Sequence, residues 1–369
     1  MAPLIMTILR VQAAVVGSVM LAVAAIGNTE PLRVGAVLPL TGVTADYGET
    51  IKNAIMMAQD DSVVLREKVK FIFEDAGYDP KQAVSAFKKL VQVDRVDLVY
   101  VWGVAFCKAL APLAESARVP MIGQCIDPDV ARDRRYVLRF MNYTDQYLRA
   151  TAQFLAAKGA RKLAVVITDN PYLEEMLAAL ERNLEPGQTV SVLQRYQSNE
   201  MDLRSVVSRL RGGEFDAIGI FLSSGQIAAF HRQLAEQSVD ILKFGTNYYE
   251  SLSEVSAAGG AMNGSVFANN AVQPEFVERY RKRYGEVTQI GFGALAFEFA
   301  ATLGRLLEHS STAFESGAAV LNAIERMPVA RGTAAGPYHF ENDPAVGRYI
   351  HFPIVMKEIH GHEFRIAAR

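Results

Sequence analysis

From residue 32 onward the chain alternates between short β-branched runs and segments with apolar residues at helical spacing, and it does so twice. RVGAVLPL (33–40), KVKFIFED (68–75), VDLVYVWG (96–103) and VPMIG (119–123) read as strands. Between them, KNAIMMAQDD (52–61), DPKQAVSAFKKLVQV (79–93) and ALAPLAESA (109–117) read as helices, the last with an internal proline. Asp79 stands where a helix cap is needed, and Pro80 takes the first helical position, where a missing N–H removes no bond. Strands apolar on both sides, separated by helices, imply a parallel sheet covered on both faces. The pattern then restarts. A helix over 147–159, closed by Gly159, leads into a strand at 161–169, a helix at 173–184 and a strand at 189–196. A helix at 202–213, a strand at 215–223, a helix at 225–237 and a strand at 241–247 follow. Two long helical patterns, 290–309 and 313–327, and strand-like runs at 336–340, 348–359 and 363–366 complete the chain. The expectation is an α/β protein with two doubly wound blocks, roughly 32–140 and 145–270. Ligands bind such open sheets outside the carboxyl ends of their strands. Two sheets facing each other therefore surround one cleft, which points to a hinged binder of a small ligand.

Composition removes other classes. Half of the 369 residues are apolar and 21% are charged, enough to bury a core and unlike a disordered chain. Lys+Arg 38 against Asp+Glu 40 leaves no basic excess for nucleic acid. Two cysteines cannot build a disulfide scaffold or a cysteine-only zinc site. Of the six histidines only His360 and His362 stand close together, between two strand-like runs where a turn is the plainer reading, so no metal site is expected. The loop after the first strand, LPLTGVTADYG (38–48), is no dinucleotide fingerprint, and neither a phosphate-binding P-loop nor a G-x-S-x-G nucleophile turn occurs. Neither an enzyme nor a cofactor is expected.

The first residues read as a leader. Arg10 is the only charge before Glu30, and an apolar stretch over 11–27 ends in Ala22-Val23-Ala24 spacing. That is the pattern of a secretory signal peptide over 1–27, cleaved to leave a soluble exported protein. An uncleaved anchor would need about 20 apolar residues. No later segment is expected to have the length and apolarity to span a membrane. With an outer membrane present, the destination is the periplasm.

RVGAVLPLTGVTADYGETIKNAIMMA (33–58), FEDAGYDPKQAVSAFKKLV (73–91), ALAPLAESARVPMIG (109–123), LAVVITDNPYLEEM (163–176) and GPYHFENDPAVGRY (336–349) resemble the leucine/isoleucine/valine-binding protein family. These are type I periplasmic substrate-binding proteins of ABC importers, and the resemblance runs over 32–366. It implies two doubly wound parallel-sheet lobes joined by a hinge, a first lobe of 31–143 plus 270–347 and a second of 144–269 plus 348–369. It also implies a small-molecule ligand, the permease subunits of an ABC transporter as partners, and a monomer. Another protein type with this fold, the amide-responsive ligand sensor, has a similar first loop to TGVTAD (41–46) but no leader.

Ligand residues carry over one at a time. Tyr47 matches the aromatic that walls the ligand, or caps its helix. Cys107 falls where the family often has a Ser holding a ligand carboxylate. Asp127 falls near a Thr position, or is an N-cap before Pro128. Tyr172 matches the aromatic of the second lobe, and Ser223 and Ser224 match its later loop. Phe106 is either a third wall or core. Asn247 stands where an acid normally pairs with a ligand ammonium, leaving Glu250 as the one acid near enough to take over. An ammonium in a closed cleft needs acceptors, preferably charged. The implied ligand is thus a small, partly apolar, oxygen-bearing solute without an α-amino group. Cys107 and Cys125 follow neighbouring strands. Either they form a disulfide, or they are two thiols lining the cleft floor. The usual disulfide of the family has its other half near Gly77-Tyr78, where this chain has no Cys.

Overall fold

The computed structural model describes residues 30–42, 44–285, 288–309 and 316–368. The signal-peptide reading of 1–27 lies outside these. Fourteen strands fall into two seven-stranded sheets among the described residues. The first sheet contains β1 (Leu32–Leu38), β2 (Val69–Asp75), β3 (Leu98–Trp102), β4 (Met121–Gln124), β5 (Val137–Arg139), β11 (His339–Asp343) and β12 (Gly347–His351). The second contains β6 (Lys162–Thr168), β7 (Thr189–Tyr196), β8 (Ala217–Phe221), β9 (Leu242–Gly245), β10 (Val266–Asn270), β13 (Ile354–His360) and β14 (Glu363–Ile366).

Each sheet has one parallel five-stranded core wound the same way, β2-β1-β3-β4-β5 and β7-β6-β8-β9-β10. The order reverses between β1 and β3, and between β6 and β8. Those are the crevices where open α/β sheets hold ligands. The central strand β3 is buried at all five positions, so helices must cover both of its faces. The helix caps are local and legible. Asp79 accepts from the Lys81 N–H at 2.7 Å, and Asn170 accepts from the Tyr172 N–H at 2.9 Å, each ahead of a proline. The helix Val104–Ala117 carries Pro112 inside it, as expected.

The two doubly wound, mostly parallel lobes are as expected, and three finer points differ. The sheets are mixed, because β11–β12, β10–β13 and β13–β14 pair antiparallel. The final change of lobe falls at Phe352–Pro353, not at 347/348, because β12 pairs with β5 and β11 of the first sheet while β13 joins the second. Pro353 has no N–H for a ladder, so the run 348–359 breaks there into two strands. In addition, the helix Ile290–His309 does have the length and apolarity to cross a membrane, contrary to the expectation for later segments. Most of its apolar stretch is buried inside the protein, and it packs against the helix Ala45–Asp61, as a core helix does.

Three strands of chain cross between the sheets, near Phe140–Tyr143, Ala271–Gln273 and Phe352–Pro353. One side chain ties all three. Asn142 donates to the Phe352 carbonyl at 3.1 Å, and its Oδ1 accepts from the Phe352 N–H at 3.1 Å and the Asn270 amide at 2.9 Å.

Candidate ligand-binding cleft

The strand ends of the two sheets converge on one small interlobe space. From the first sheet, Trp102 ends β3 and Gln124 ends β4. Gly103, at φ 97°, turns the chain from β3 into the helix Val104–Ala117, a backbone angle that L side chains rarely adopt. Tyr78 packs over this turn: a Cβ on Gly103 would lie 2.8 Å from its ring. From the second sheet, Tyr172 opens the helix after β6, and Asn247 and Tyr248 follow β9. Phe292 reaches in from the helix Ile290–His309, and Cys125, Ile126 and Met141 complete the wall. The enclosed volume is about 40 Å³, the room of roughly one water molecule. Larger grooves of about 580, 460 and 530 Å³ exist, the last beside Glu250, Ala271 and Val272, but none is lined by strand-end residues of both β3 and β9. The topology therefore favours the small space between the two sets of strand ends.

Its lining is aromatic. Trp102 lies 5.6 Å from both Tyr78 and Phe292, centroid to centroid, and Tyr172 stacks on Tyr248 at 4.6 Å. Among the described residues, none lining it is charged. Burial pushes the Tyr78 phenol up to about 12 and those of Tyr172 and Tyr248 well above the ordinary tyrosine range. All three remain protonated at neutral pH and offer neutral O–H donors. The Tyr172 hydroxyl donates to Asn247 Oδ1, which fixes both side chains.

Of the residues singled out by sequence, Tyr172 and Asn247 meet at this space. Tyr47 stands directly behind its wall, 4.6 Å from Trp102 and 5.5 Å from Phe292. Phe106 is fully buried against Tyr78 at 5.2 Å, within the first-lobe core. Cys107 is also fully buried, one layer below the wall. Asp127 accepts from the Asp129 N–H at 2.9 Å, the cap of the turn Pro128–Val130, and pairs with Lys108 at 2.7 Å. Ser223 gives its N–H to Thr168 Oγ1 at 3.1 Å and Ser224 is exposed; neither lines the space. Glu250 is buried and pairs with Lys357 at 2.7 Å, its other oxygen accepting from Asn269. Its charge is therefore met inside the protein. Cys107 and Cys125 are free thiols.

Tyr78, Trp102, Gln124, Met141, Tyr248 and Phe292 were not anticipated. Trp102 and Gln124 were findable as the last residues of strands that end at the switch point. Tyr248 adjoins Asn247. Phe292 is brought in by a helix 190 residues from Trp102 in sequence, with no local signal.

The two lobes, each with a switch point opening on a shared cleft, define a bilobal small-molecule receptor. The periplasmic binding protein family model matches residues 31–351, and the chain belongs to that family. A Leu/Ile/Val-binding protein homolog 7 of Brucella abortus is 25% identical over 344 residues, 85% of each chain. Among solved structures, the leucine binding protein of Thermotoga maritima superposes with a TM-score of 0.77 at 20% identity, over 91% of this chain and 98% of that one. The ABC transporter solute binding protein of Rhodopseudomonas palustris BisB5, in complex with 3,4-dihydroxy benzoic acid, gives 0.75 at 23% identity, over 91% and 96%. The family's members bind small-molecule ligands and work with ABC transporter permeases; it is a family of binding proteins, not enzymes, and its place is extracytoplasmic.

Proposed function

We propose that this protein is the periplasmic substrate-binding component of an ABC importer, released from the leader 1–27, and that it captures a small aromatic or apolar solute bearing oxygen and no α-amino group. The observation that carries the ligand class is the lining of the cleft: aromatic faces from both lobes, neutral phenol and amide groups, and no acid. An ammonium brought into this space would lose its water without gaining a charged acceptor, a cost of several kcal/mol. Glu250, the one acid close in sequence to Asn247, is held by Lys357. The phenol donors of Tyr78 and Tyr248, with the Asn247 amide, suit a carbonyl, phenol or carboxylate oxygen. Aromatic faces suit a planar ring, and edge or offset contacts add about 0.5–1.5 kcal/mol beyond burial. The solved structure holding 3,4-dihydroxy benzoic acid is consistent with this chemistry on the same fold. Lobe closure around the ligand would present one surface to the permease.

The test is calorimetry on the mature protein with leucine, isoleucine and valine beside benzoate, 4-hydroxybenzoate, benzamide and short-chain acids. Binding is expected in the aromatic set and is expected to weaken strongly in Tyr172→Ala. Submicromolar binding of any of the three amino acids would overturn the ligand class.

A further inference from the structure

Beneath the cleft wall lies a cluster that ligand capture does not use. Cys107 sits in the first turn of the helix Val104–Ala117, and Cys125 stands one residue past β4. Gly123 lies between them in space. A Cβ built on it would be 3.2 Å from the Cys107 sulfur and 3.6 Å from the Cys125 sulfur, so both sulfurs flank one point. The hydrogen of Gly123 leaves the room in which they meet. A larger residue would part them. Only Cys125 lines the interlobe space; Cys107 is sealed behind it.

Arg139 is the third member. It ends β5 and is paired in register with Gly123, so its side chain leaves the sheet on the same face as the two sulfurs. It is fully buried between Tyr143 and Tyr349, whose ring centroids lie 5.2 and 5.3 Å from its guanidinium carbon. One nitrogen donates to the Val346 carbonyl at 2.9 Å, while Nε and Nη1 have no acceptor. The nearest acid, Asp127, is engaged by Lys108 and by the Asp129 N–H. A buried cation with two unmet N–H groups is costly unless something nearby carries negative charge. In the reduced protein, burial and then the neighbouring Cys125 thiol push the Cys107 thiol well above its ordinary value, and Arg139 acts in the opposite direction.

We propose that Cys107 and Cys125 are a redox-active pair, in which Cys125 exchanges with an external disulfide through the opened cleft and Cys107 then resolves it to an intramolecular disulfide. The Cys125 thiolate attacks one sulfur of RSSR, forming the mixed disulfide and releasing one RS⁻. The Cys107 thiolate attacks Cys125 in turn, forming the Cys107–Cys125 bond and releasing a second RS⁻. The two thiol protons pass to the two released thiolates, and the protein pair is oxidised as RSSR is reduced to two RSH. The bond would tie the first turn of the helix, whose N–H groups face the cleft, to the end of β4. This does not rest on the identity of the ligand.

The experiment incubates the reduced mature protein with oxidised glutathione, quenches with acid, unfolds, alkylates and reads the products by mass spectrometry. Wild type is expected to give an intramolecular Cys107–Cys125 disulfide with neither thiol alkylated. Cys107→Ser is expected to trap glutathione on Cys125, and Cys125→Ser to take up none. Alkylation of both cysteines in oxidised wild type, or glutathione trapped on Cys107 in Cys125→Ser, would overturn the proposal. The wild-type arm decides the matter even where a variant fails to fold.

Discussion

The reading of Glu250 as an acid held inside the protein rests on its pair with Lys357, which can be broken from either side. Lys357 Nζ lies 2.7 Å from Glu250 Oε1, and the two side chains are 8% and 6% exposed. At an effective dielectric of about 20 the attraction is roughly 6 kcal/mol, and most of it is offset by taking both charges from water. The intact pair therefore adds little over an apolar one. Removing one partner is different, because the other stays buried and unpaired at a cost of about 3–5 kcal/mol. Lys357→Met retains the aliphatic stem and deletes the charge. It is expected to lose about 3–5 kcal/mol, and Glu250→Gln a similar amount. The double variant Lys357→Met/Glu250→Gln is expected to recover at least half of the summed loss, since neither charge remains. Urea unfolding at neutral pH, with equal slopes, gives the four free energies of the cycle. By scanning calorimetry each single variant should fall by roughly 6–10 °C, at about 2 °C per kcal/mol for a domain of this size. A cost below about 1 kcal/mol for either single change, or simple additivity, would refute the reasoning. Glu250 would then not be a carboxylate held by an internal partner, and that support for the proposed ligand class would be lost.

His231 gives a pH prediction. It is buried, with Nδ1 2.8 Å from the Ile227 carbonyl and Nε2 near Ser265 and the Tyr249 hydroxyl, and burial lowers it from 6.5 to about 4. Between those values the unfolded chain binds the proton and the folded one does not. Stability is complete above about pH 6.5 and falls by about 3 kcal/mol as the pH drops to about 4; His231→Gln should flatten the unfolding temperature over that range, and a ring titrating near 6.5 in the folded protein by NMR would contradict this. Gly245→Ala would put a Cβ 2.2–2.5 Å from the Tyr249 ring, so a loss of about 1–3 kcal/mol is expected by urea unfolding, with displacement of the Asn247 turn and weaker ligand binding. Asn142→Ala would leave the Phe352 N–H and carbonyl and the Asn270 amide without that partner. A loss of about 2–4 kcal/mol is expected in the same assay, and an unchanged midpoint would show that the clasp is not structural.

The parallel cores were legible because their cause is local. Apolar runs of four to eight residues, Asp79-Pro80 and Asn170-Pro171 each state where one element starts. The antiparallel additions were not, because a strand's partner depends on where the chain returns. Residues 348–359 read as one run by hydropathy, and Pro353 was the signal that it serves two sheets. In the cleft, Tyr172 and Asn247 follow strands, and it was the family resemblance that singled them out. Ser223 follows a strand as well, but its N–H turns inward to Thr168 and Gln226. Position after a strand fixes which side of the sheet a loop occupies, not which side chain of the loop faces the other lobe. Glu250 makes the same point from the opposite direction: its distance from Asn247 in sequence is short, yet its partner Lys357 comes from β13, the far end of the chain.

The hinge and the cleft follow from one topological fact. The first sheet takes β1–β5 and β11–β12 and the second takes β6–β10 and β13–β14, so three segments must cross between lobes, and Asn142 holds them side by side. A clasp at the crossings leaves rotation about it as the soft motion, because bending elsewhere would disturb close-packed cores. The cleft lining lies on both sides of that axis, Trp102 and Tyr78 on one lobe and Tyr172, Asn247 and Tyr248 on the other. A space of about 40 Å³ admits no ring-sized solute, so entry requires rotation and capture requires its reversal. Affinity is then set by how far the ligand's contacts with the second lobe outweigh the opening preference of the hinge, and a ligand touching one lobe alone would shift nothing. On the proposed reading, substitutions at Tyr172 and Asn247 are expected to act on closure, and changes at Trp102 on the first encounter.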